Sequence, residues 1–174
     1  MKYLLLFIIL MPISSYCQSF KANISKNEGG RYYLEYIHNV YNRTEDVVSV
    51  IASDFLSKEL RCKNVEHQKE DKTYSSRYYI HFKGYRNGCI KNADIDIRVT
   101  IYYKDNRTKI VFDDMRFINA DAKCGTDGTM EFLLDTCSCE DSFLVGQFLK
   151  FNADKIASNY KDYIKKRQRD PKLF

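Results

Sequence analysis

Apolar residues recur with a period of two in several stretches of this chain, which is the pattern of β-strands with one buried face. The clearest stretch is 94–103, where one face carries Ile95, Ile97, Val99, Ile101 and Tyr103. Alternation or a strand-forming composition marks four further stretches. We therefore predict five strands, over 31–40, 62–68, 74–83, 94–103 and 107–117.

Two other segments have the spacing of an amphipathic helix. In 44–60, Thr44 stands at the N-cap position, acidic residues follow it, and apolar residues recur at helical intervals. Ser142 is the expected N-cap of a long final helix, which ends in a basic tail before Pro171. The buried stripe of this final helix is predicted to comprise Val145, Leu149, Ala153, Ile156, Tyr160 and Ile164.

The element order is strand, helix, four strands and helix, which predicts a single α+β domain over 31–168. Consecutive antiparallel strands would form a meander with both helices on one face. The expected architecture is a two-layer sandwich with a curved five-stranded antiparallel sheet. The polar stretch 18–30 lacks periodicity and is predicted to be a flexible arm. A cysteine-containing loop is predicted over 119–141, and 169–174 is the end of the basic tail.

The first 17 residues have the composition of a secretory signal peptide. Lys2 precedes an apolar run over 3–13, and small residues precede Gln18. We predict cleavage before Gln18 and a mature protein that is periplasmic or secreted. Lipoprotein anchoring at Cys17 is the less favoured alternative, because the bulky Tyr16 precedes it. The apolar run over 3–13 is too short to span a bilayer, and no later stretch reaches the ~20 apolar residues of a membrane-spanning helix.

The charge of the chain is concentrated in its tail. The 174 residues are 44% hydrophobic and 29% charged, with a formal net charge of +5. Lys2 leaves with the signal peptide, and six Lys and Arg residues lie from Lys161 to Lys172. The rest of the domain is near neutral, so no nucleic-acid partner is expected. The tail is either a basic handle for an anionic lipid or polysaccharide or, as we favour, a solvated helix C-terminus whose cations complement the helix dipole.

Five cysteines remain after signal cleavage, an odd number that cannot be fully paired within one chain. Export permits disulfides, and the candidates are Cys62, Cys89, Cys124, Cys137 and Cys139. Three thiolates could hold a metal, but paired C-x-x-C spacing and a fourth ligand are missing, so no metal site is predicted. The chain also lacks the G-x-S-x-G, G-x-x-x-x-G-K and G-x-G-x-x-G motifs, so we assign no cofactor and no catalytic residue.

The signal segment, the 44–60 helix and the strand pair IDIRVTIYYKDNRTKIVFDDMRF resemble a family of exported Bacteroidota proteins. That family has no known function and a TATA-binding-protein-like fold. The resemblance covers roughly residues 31–118 and centres on the turn Tyr103-Lys-Asp-Asn-Arg107. It implies a TATA-binding-protein-like fold for this domain and carries over no catalytic residues. The cysteine cluster between Cys124 and Cys139 is foreign to the family's pattern.

One face of the sheet is left open if the apolar faces of the strands turn toward the helices. Its side chains would be Tyr33, Glu35, Arg77, Tyr79, His81, Lys83, Arg98 and Tyr102. Tyr and Arg anchor many interfaces, but a solvated sheet face carries the same residue types without any partner. Strict alternation places the neighbours Asp113 and Asp114 on opposite faces, which argues against a paired-carboxylate site.

These patterns favour a noncatalytic exported domain that binds a protein, peptide or glycan on the open sheet face. The candidate binding residues are Tyr33, Arg77, Tyr79, His81, Arg98 and Tyr102. One alternative is a cystatin-like protease inhibitor, which also packs a helix on an antiparallel sheet, although its Q-x-V-x-G motif is missing here. A less favoured alternative is a small enzyme that uses Cys89 or the Cys124 to Cys139 cluster.

Overall fold

Six antiparallel strands form one sheet in the computed structural model, which describes residues 24–83, 93–118, 130–136 and 139–169. In chain order the strands are β1 (Ser25–Lys26), β2 (Tyr32–Asn39), β3 (Glu66–Gln68), β4 (Thr73–Phe82), β5 (Ala93–Lys104) and β6 (Arg107–Ile118). Their order across the sheet is β1-β2-β6-β5-β4-β3. The last four strands form the predicted meander, and β2 pairs with β6 at its far side.

The predicted count of five strands is wrong, because β1 lies within the stretch predicted to be a flexible arm. Lys26 pairs with Tyr32, and Ser25 pairs with Tyr33. Two residues are too few to leave a periodic signal, which explains why the sequence did not reveal this strand. The strand predicted over 62–68 is also shorter than expected, since β3 begins only at Glu66.

The helices are α1 (Glu45–Asp54), α2 (Met130–Thr136) and α3 (Cys139–Gln168). A π-helical turn, Phe55–Glu59, continues α1. Arg61 then adopts a left-handed conformation with φ 54°, and the Cys62 N–H donates to the Leu56 carbonyl at 2.9 Å, as at many helix C-termini. Two expectations are corrected here: α2 lies inside the predicted loop, and α3 begins three residues before Ser142.

The start of α1 is capped from the β5–β6 turn rather than by Thr44. Thr44 occupies the N-cap position with extended backbone, but its side chain makes no capping hydrogen bond. The Glu45 N–H instead donates to the Asp105 carboxylate at 2.6 Å, and the Arg43 N–H donates to the Asn106 side-chain oxygen at 2.9 Å. The predicted position is therefore correct, whereas the capping group comes from another part of the chain.

The hydrophobic core lies between one face of the sheet and the helices. The most deeply buried strand residues include Ile95, Val99, Ile101, Ile110 and Phe112. Helix α3 crosses this face obliquely, because Phe148 contacts Phe82 of β4 while the Tyr36 hydroxyl of β2 donates to Asp154 at 2.6 Å. The rings of Phe55 and Tyr160, 4.6 Å apart, join the end of α1 to α3. Both long helices thus cover the same side, which confirms the α+β class.

The end of α3 is tied to the domain by cations of the basic tail and of the β2–α1 loop. Arg167 forms an ion pair with Asp54, which also contacts Lys58 at 2.8 Å. The Arg43 guanidinium donates to the Gln168 carbonyl at 3.0 Å, where the helix dipole favours positive charge. Part of the basic excess is therefore used inside the fold.

Several predicted features lie outside the described residues. They are the signal peptide over 1–17, its cleavage site before Gln18, and the cysteines Cys89, Cys124 and Cys137. Cys139 is the first residue of α3. Among the helices that the structure describes, none combines the length and apolarity that a bilayer crossing requires.

Candidate functional site

The residues predicted for the open face do share that face of the sheet. In β4 and β5 the cross-strand register places Arg77 opposite Arg98, Tyr79 opposite Asp96, and His81 opposite Asp94. The remaining predicted residues are Tyr33 and Glu35 on β2, Tyr102 on β5, and Lys83 directly after β4. No described helix packs on this side. The structure thus brings Arg77, Tyr79, His81 and Arg98 together, while Tyr33 and Glu35 lie on the far side of β6.

A β-bulge in β6 adds carboxylates to this face. The register with β5 shifts between Asp96 and Arg98, so that one extra residue of β6 is accommodated, and Asp114 adopts a left-handed conformation with φ 45°. Asp113 and Asp114 consequently both form ion pairs with arginines of the open face. The expectation that they point to opposite faces is therefore wrong, because it assumed an unbroken alternation.

Asp114 lies between two arginines. Its carboxylate forms an ion pair with Arg77 and another with Arg116, whose guanidinium Nη2 lies 3.0 Å from Asp114 Oδ1. The Arg77 Nη1 also donates to the Asp114 main-chain carbonyl at 3.0 Å. Burial opposes ionisation of Asp114, but hydrogen bonds from Arg116 and Arg77 outweigh it, and the net effect is to lower the pKa of this carboxyl group. Asp114 therefore remains charged and holds both guanidinium groups in place.

Arg98 has its own carboxylate partner. Its Nε donates to Asp113 Oδ1 at 2.8 Å and its Nη2 donates to Asp113 Oδ2 at 2.9 Å, which is the two-pronged geometry that suits guanidinium and carboxylate groups. The two arginines that face each other across β4 and β5, Arg77 and Arg98, thus each have a counter-ion. Their mutual repulsion is offset by these pairs.

Asp96 is the third carboxylate of this network. Its Oδ2 lies 3.6 Å from Arg77 Nη1, and its Oδ1 is buried without a hydrogen-bond partner among the described residues. Burial raises the pKa of Asp96, with the nearby Arg77 opposing the shift and Asp114 adding to it. We call the set Arg77, Asp96, Arg98, Asp113, Asp114 and Arg116 the ion-pair network.

Sequence reasoning missed four members of the ion-pair network: Asp96, Asp113, Asp114 and Arg116. The alternation of β5 already places Asp96 on the same face as Arg98, and a separate signal concerns the residues of β6. In β6 the most deeply buried apolar residues are Ile110 and Phe112 before the bulge but Met115 and Phe117 after it, although Val111, 9% exposed, is also buried. This change of parity within one strand indicates one inserted residue between Phe112 and Met115, which is where the two aspartates lie.

Two exposed tyrosines flank the ion-pair network. Tyr79 is 58% exposed and Tyr102 is 40% exposed. The Lys109 ammonium group lies 4.7 Å from the centre of the Tyr102 ring and 3.6 Å from the Glu35 carboxylate. His81 contacts Asp94 through Nδ1 at 2.8 Å. The open face is therefore a surface of ordered polar contacts with accessible aromatic rings.

A cavity of about 670 Å³ lies at the outer edge of β4. Its walls are the loop over 60–64, Glu66, residues 75–79 of β4, and Arg98. The Ser76 hydroxyl donates to the Lys63 carbonyl at 2.8 Å and fixes this loop against β4. Cys62 also lines the cavity as a free, half-buried thiol whose pKa is raised by burial, so the structure shows no disulfide for this candidate and no activated thiolate.

Comparison with known proteins identifies the fold. No family model matches the chain, and no curated protein matches it by sequence. A solved TBP-like protein from Parabacteroides distasonis ATCC 8503 matches with a TM-score of 0.51 and 14% identity, over 78% of this chain and 97% of that one. A solved DUF4468 family protein from Bacteroides ovatus ATCC 8483 matches with a TM-score of 0.55 and 10% identity, over 86% and 92%. The chain therefore has the TBP-like fold that its sequence implied.

Proposed function

We propose that this protein is a noncatalytic exported domain that binds a protein, peptide or glycan partner through its open sheet face. The observation that carries the proposal is the pair of exposed tyrosines, Tyr79 and Tyr102, beside arginines held by the ion-pair network. Tyrosine and arginine contribute most strongly to binding where their side chains are accessible and already ordered. No described helix covers this face, so both rings can be reached by a partner.

The arrangement favours binding over catalysis. Asp113 and Asp114 are each neutralised by a guanidinium group, so neither is available as a general base. His81 contacts Asp94, but none of the described hydroxyl or thiol groups forms a hydrogen bond with His81. The polar groups of this face thus hold one another in position rather than a nucleophile and a base.

Binding on the open face can be tested with paired variants. We expect Tyr79→Ser combined with Tyr102→Ser to reduce capture of a specific partner at least about tenfold, because two exposed aromatic anchors are removed. The control is Phe151→Ser, since Phe151 is a 67% exposed aromatic residue of α3. Capture would be measured by quantitative mass spectrometry from a Bacteroides envelope extract and on a glycan array. Equal capture by the wild type and the double variant would contradict the proposal.

Export is the other part of the proposal and has a separate test. Expression of the full chain in a Bacteroides host, followed by mass spectrometry of the N-terminus, should find a mature protein that begins at Gln18 in the periplasm or the medium. A cytoplasmic protein with an intact N-terminus would contradict export. A lipidated Cys17 would show that the protein is membrane-anchored instead.

A further inference from the structure

Within the part of the chain that the structure describes, the outer edge of β4 is unpaired over most of its length. β3 pairs only with Thr73, Tyr74 and Ser75, whereas β4 extends to Phe82. Among the described residues, no strand pairs with this edge over 76–82. An unpaired edge presents a row of N–H and C=O groups that can accept an additional strand. This edge is thus a seven-residue template for main-chain hydrogen bonds.

The cavity at the edge of β4 provides space for an additional strand beside this template. It is bounded on one side by residues 75–79 of β4 and on the other by the loop over 60–64. Two residues of that loop, Arg61 and Asn64, have left-handed backbone with φ of 54° and 56°. Such conformations fix the course of a loop, and the Ser76 hydroxyl, which donates to the Lys63 carbonyl at 2.8 Å, attaches this loop to β4. A volume of about 670 Å³ remains between the loop and β4.

The charge of the cavity selects the kind of strand that fits. Arg61 and Lys63 are exposed on its wall and form no ion pair with any described residue. The single acidic residue among the described lining residues is Glu66. Arg77 and Arg98 also line the cavity, with their charges balanced by the ion-pair network. The excess of unpaired positive charge therefore comes from the loop and favours acidic side chains.

We propose that an extended, acidic segment of a partner polypeptide adds to the sheet as a strand along 76–82 of β4, with its carboxylates facing Arg61 and Lys63. Main-chain hydrogen bonds would supply affinity, and alternate side chains would supply selectivity. Strand addition rests on the proposed function, because it takes the partner of that function to be a protein or peptide. It differs in location, since the strand lies at the edge and meets the open face where Arg77, Tyr79 and Arg98 line the cavity.

The experiment uses the full mature chain and synthetic probes. An acetylated and amidated (Thr-Glu)₄ peptide, labelled for fluorescence anisotropy, is compared with (Thr-Lys)₄ and with a (Thr-Glu)₄ peptide that is N-methylated at every amide. We expect only unmodified (Thr-Glu)₄ to bind, because methylation removes the donors for strand pairing while keeping the charge. Hydrogen exchange followed by mass spectrometry should then show protection within 76–82.

Matched variants separate the loop cations from general charge. Arg61→Asn combined with Lys63→Ser should weaken (Thr-Glu)₄ binding about tenfold, and asparagine tolerates the left-handed conformation at position 61. Lys155→Ser combined with Lys166→Ser removes the same charge from exposed positions of α3 and should change binding less than about twofold. The variants' urea unfolding curves show whether a loss reflects binding or folding.

Four results would overturn this proposal. They are no peptide binding at millimolar concentration, equal binding of the N-methylated peptide, exchange protection that avoids 76–82, and self-association of the chain that protects this edge instead. If the Tyr79 and Tyr102 variants abolish capture of a partner while (Thr-Glu)₄ does not bind, the open-face proposal stands and strand addition fails. If the peptide binds and those variants capture a partner normally, strand addition stands and the open-face proposal fails.

Discussion

The β-bulge of β6 allows the register of the sheet to be tested by deletion. Asp114 is the extra residue, so its removal should restore regular alternation and leave Ile110, Phe112, Met115 and Phe117 all on the core side. The deletion removes the ion pairs of Asp114, worth about 2 kcal/mol for partly exposed guanidinium partners, and relieves a left-handed residue that costs about 1 kcal/mol. We expect a net loss of about 1 kcal/mol of unfolding free energy.

Deletion of Thr100 is the matched comparison, since Thr100 lies in the regular part of β5. One residue fewer there moves part of the strand by one position and turns its buried side chains to the open face. Either the buried residues before Thr100 or those after it would be displaced. The smaller of these two groups is Ile101 and Tyr103, which are 0% and 7% exposed. Exposing two such side chains costs about 3–6 kcal/mol, which is a large share of the ~5–15 kcal/mol that stabilises a typical domain.

The two deletions would be compared by urea unfolding. The chain has no Trp and 14 Tyr, so far-UV circular dichroism and tyrosine fluorescence are the suitable signals. We expect the Asp114 deletion to keep a cooperative transition whose dependence on urea concentration is unchanged. The Thr100 deletion should be at least about 2 kcal/mol less stable than the Asp114 deletion. If removing Asp114 is as damaging as removing Thr100, the bulge does not accommodate an inserted residue and our account of β6 is refuted.

Three further predictions concern stability. Arg167→Ala should cost about 1–3 kcal/mol in urea unfolding because its partner carboxylate on α1 is only 15% exposed, whereas Lys165→Ala should change stability by less than about 0.5 kcal/mol. Burial and a hydrogen bond to α3 raise the pKa of Tyr36 well above 10. As pH rises past about 10 the unfolded chain loses this proton before the folded chain does, so the free energy of unfolding should fall. Tyr36→Phe should make this fall with pH less steep. Burial, together with Lys161, lowers the pKa of His38 below 6.5. As pH falls below 6.5 the unfolded chain gains this proton before the folded chain does, so the free energy of unfolding should fall. This fall should be less steep in His38→Gln.

The sequence predicts those parts of the fold that bury long periodic faces. β5 is an example, because five apolar residues alternate without interruption and each is buried. The same reasoning cannot detect β1, since two residues are too few to show an alternation of apolar and polar positions. It also misses α2, a seven-residue helix. Short elements of this kind are stabilised by contacts distant in sequence, such as the Tyr32 hydroxyl donating to Asp135 at 2.8 Å.

The candidate site was predictable to the extent that strand alternation holds. Tyr79 and Arg98 follow the regular parts of β4 and β5, so their shared face could be predicted from position alone. The faces of Asp114 and Arg116 could not, because the left-handed residue Asp114 changes the face of the side chains from that point on. The backbone conformation of Asp114 thus decides whether its own carboxylate and the Arg116 guanidinium join the ion-pair network.

That balance bears on which partners suit the open face. In the ion-pair network Arg77, Arg98 and Arg116 are matched by three aspartates, so the centre of this face carries no net charge. Nucleic acids and other polyanions are bound by cations that are free to pair with phosphates and release the counter-ions of the polyanion. An arginine already paired with a half-buried carboxylate gains little from a phosphate. The TBP-like fold therefore does not by itself favour nucleic acid here, since likeness of fold does not carry function. A partner that offers hydrogen-bonding groups and apolar surface to Tyr79 and Tyr102 suits this face better than a polyphosphate does.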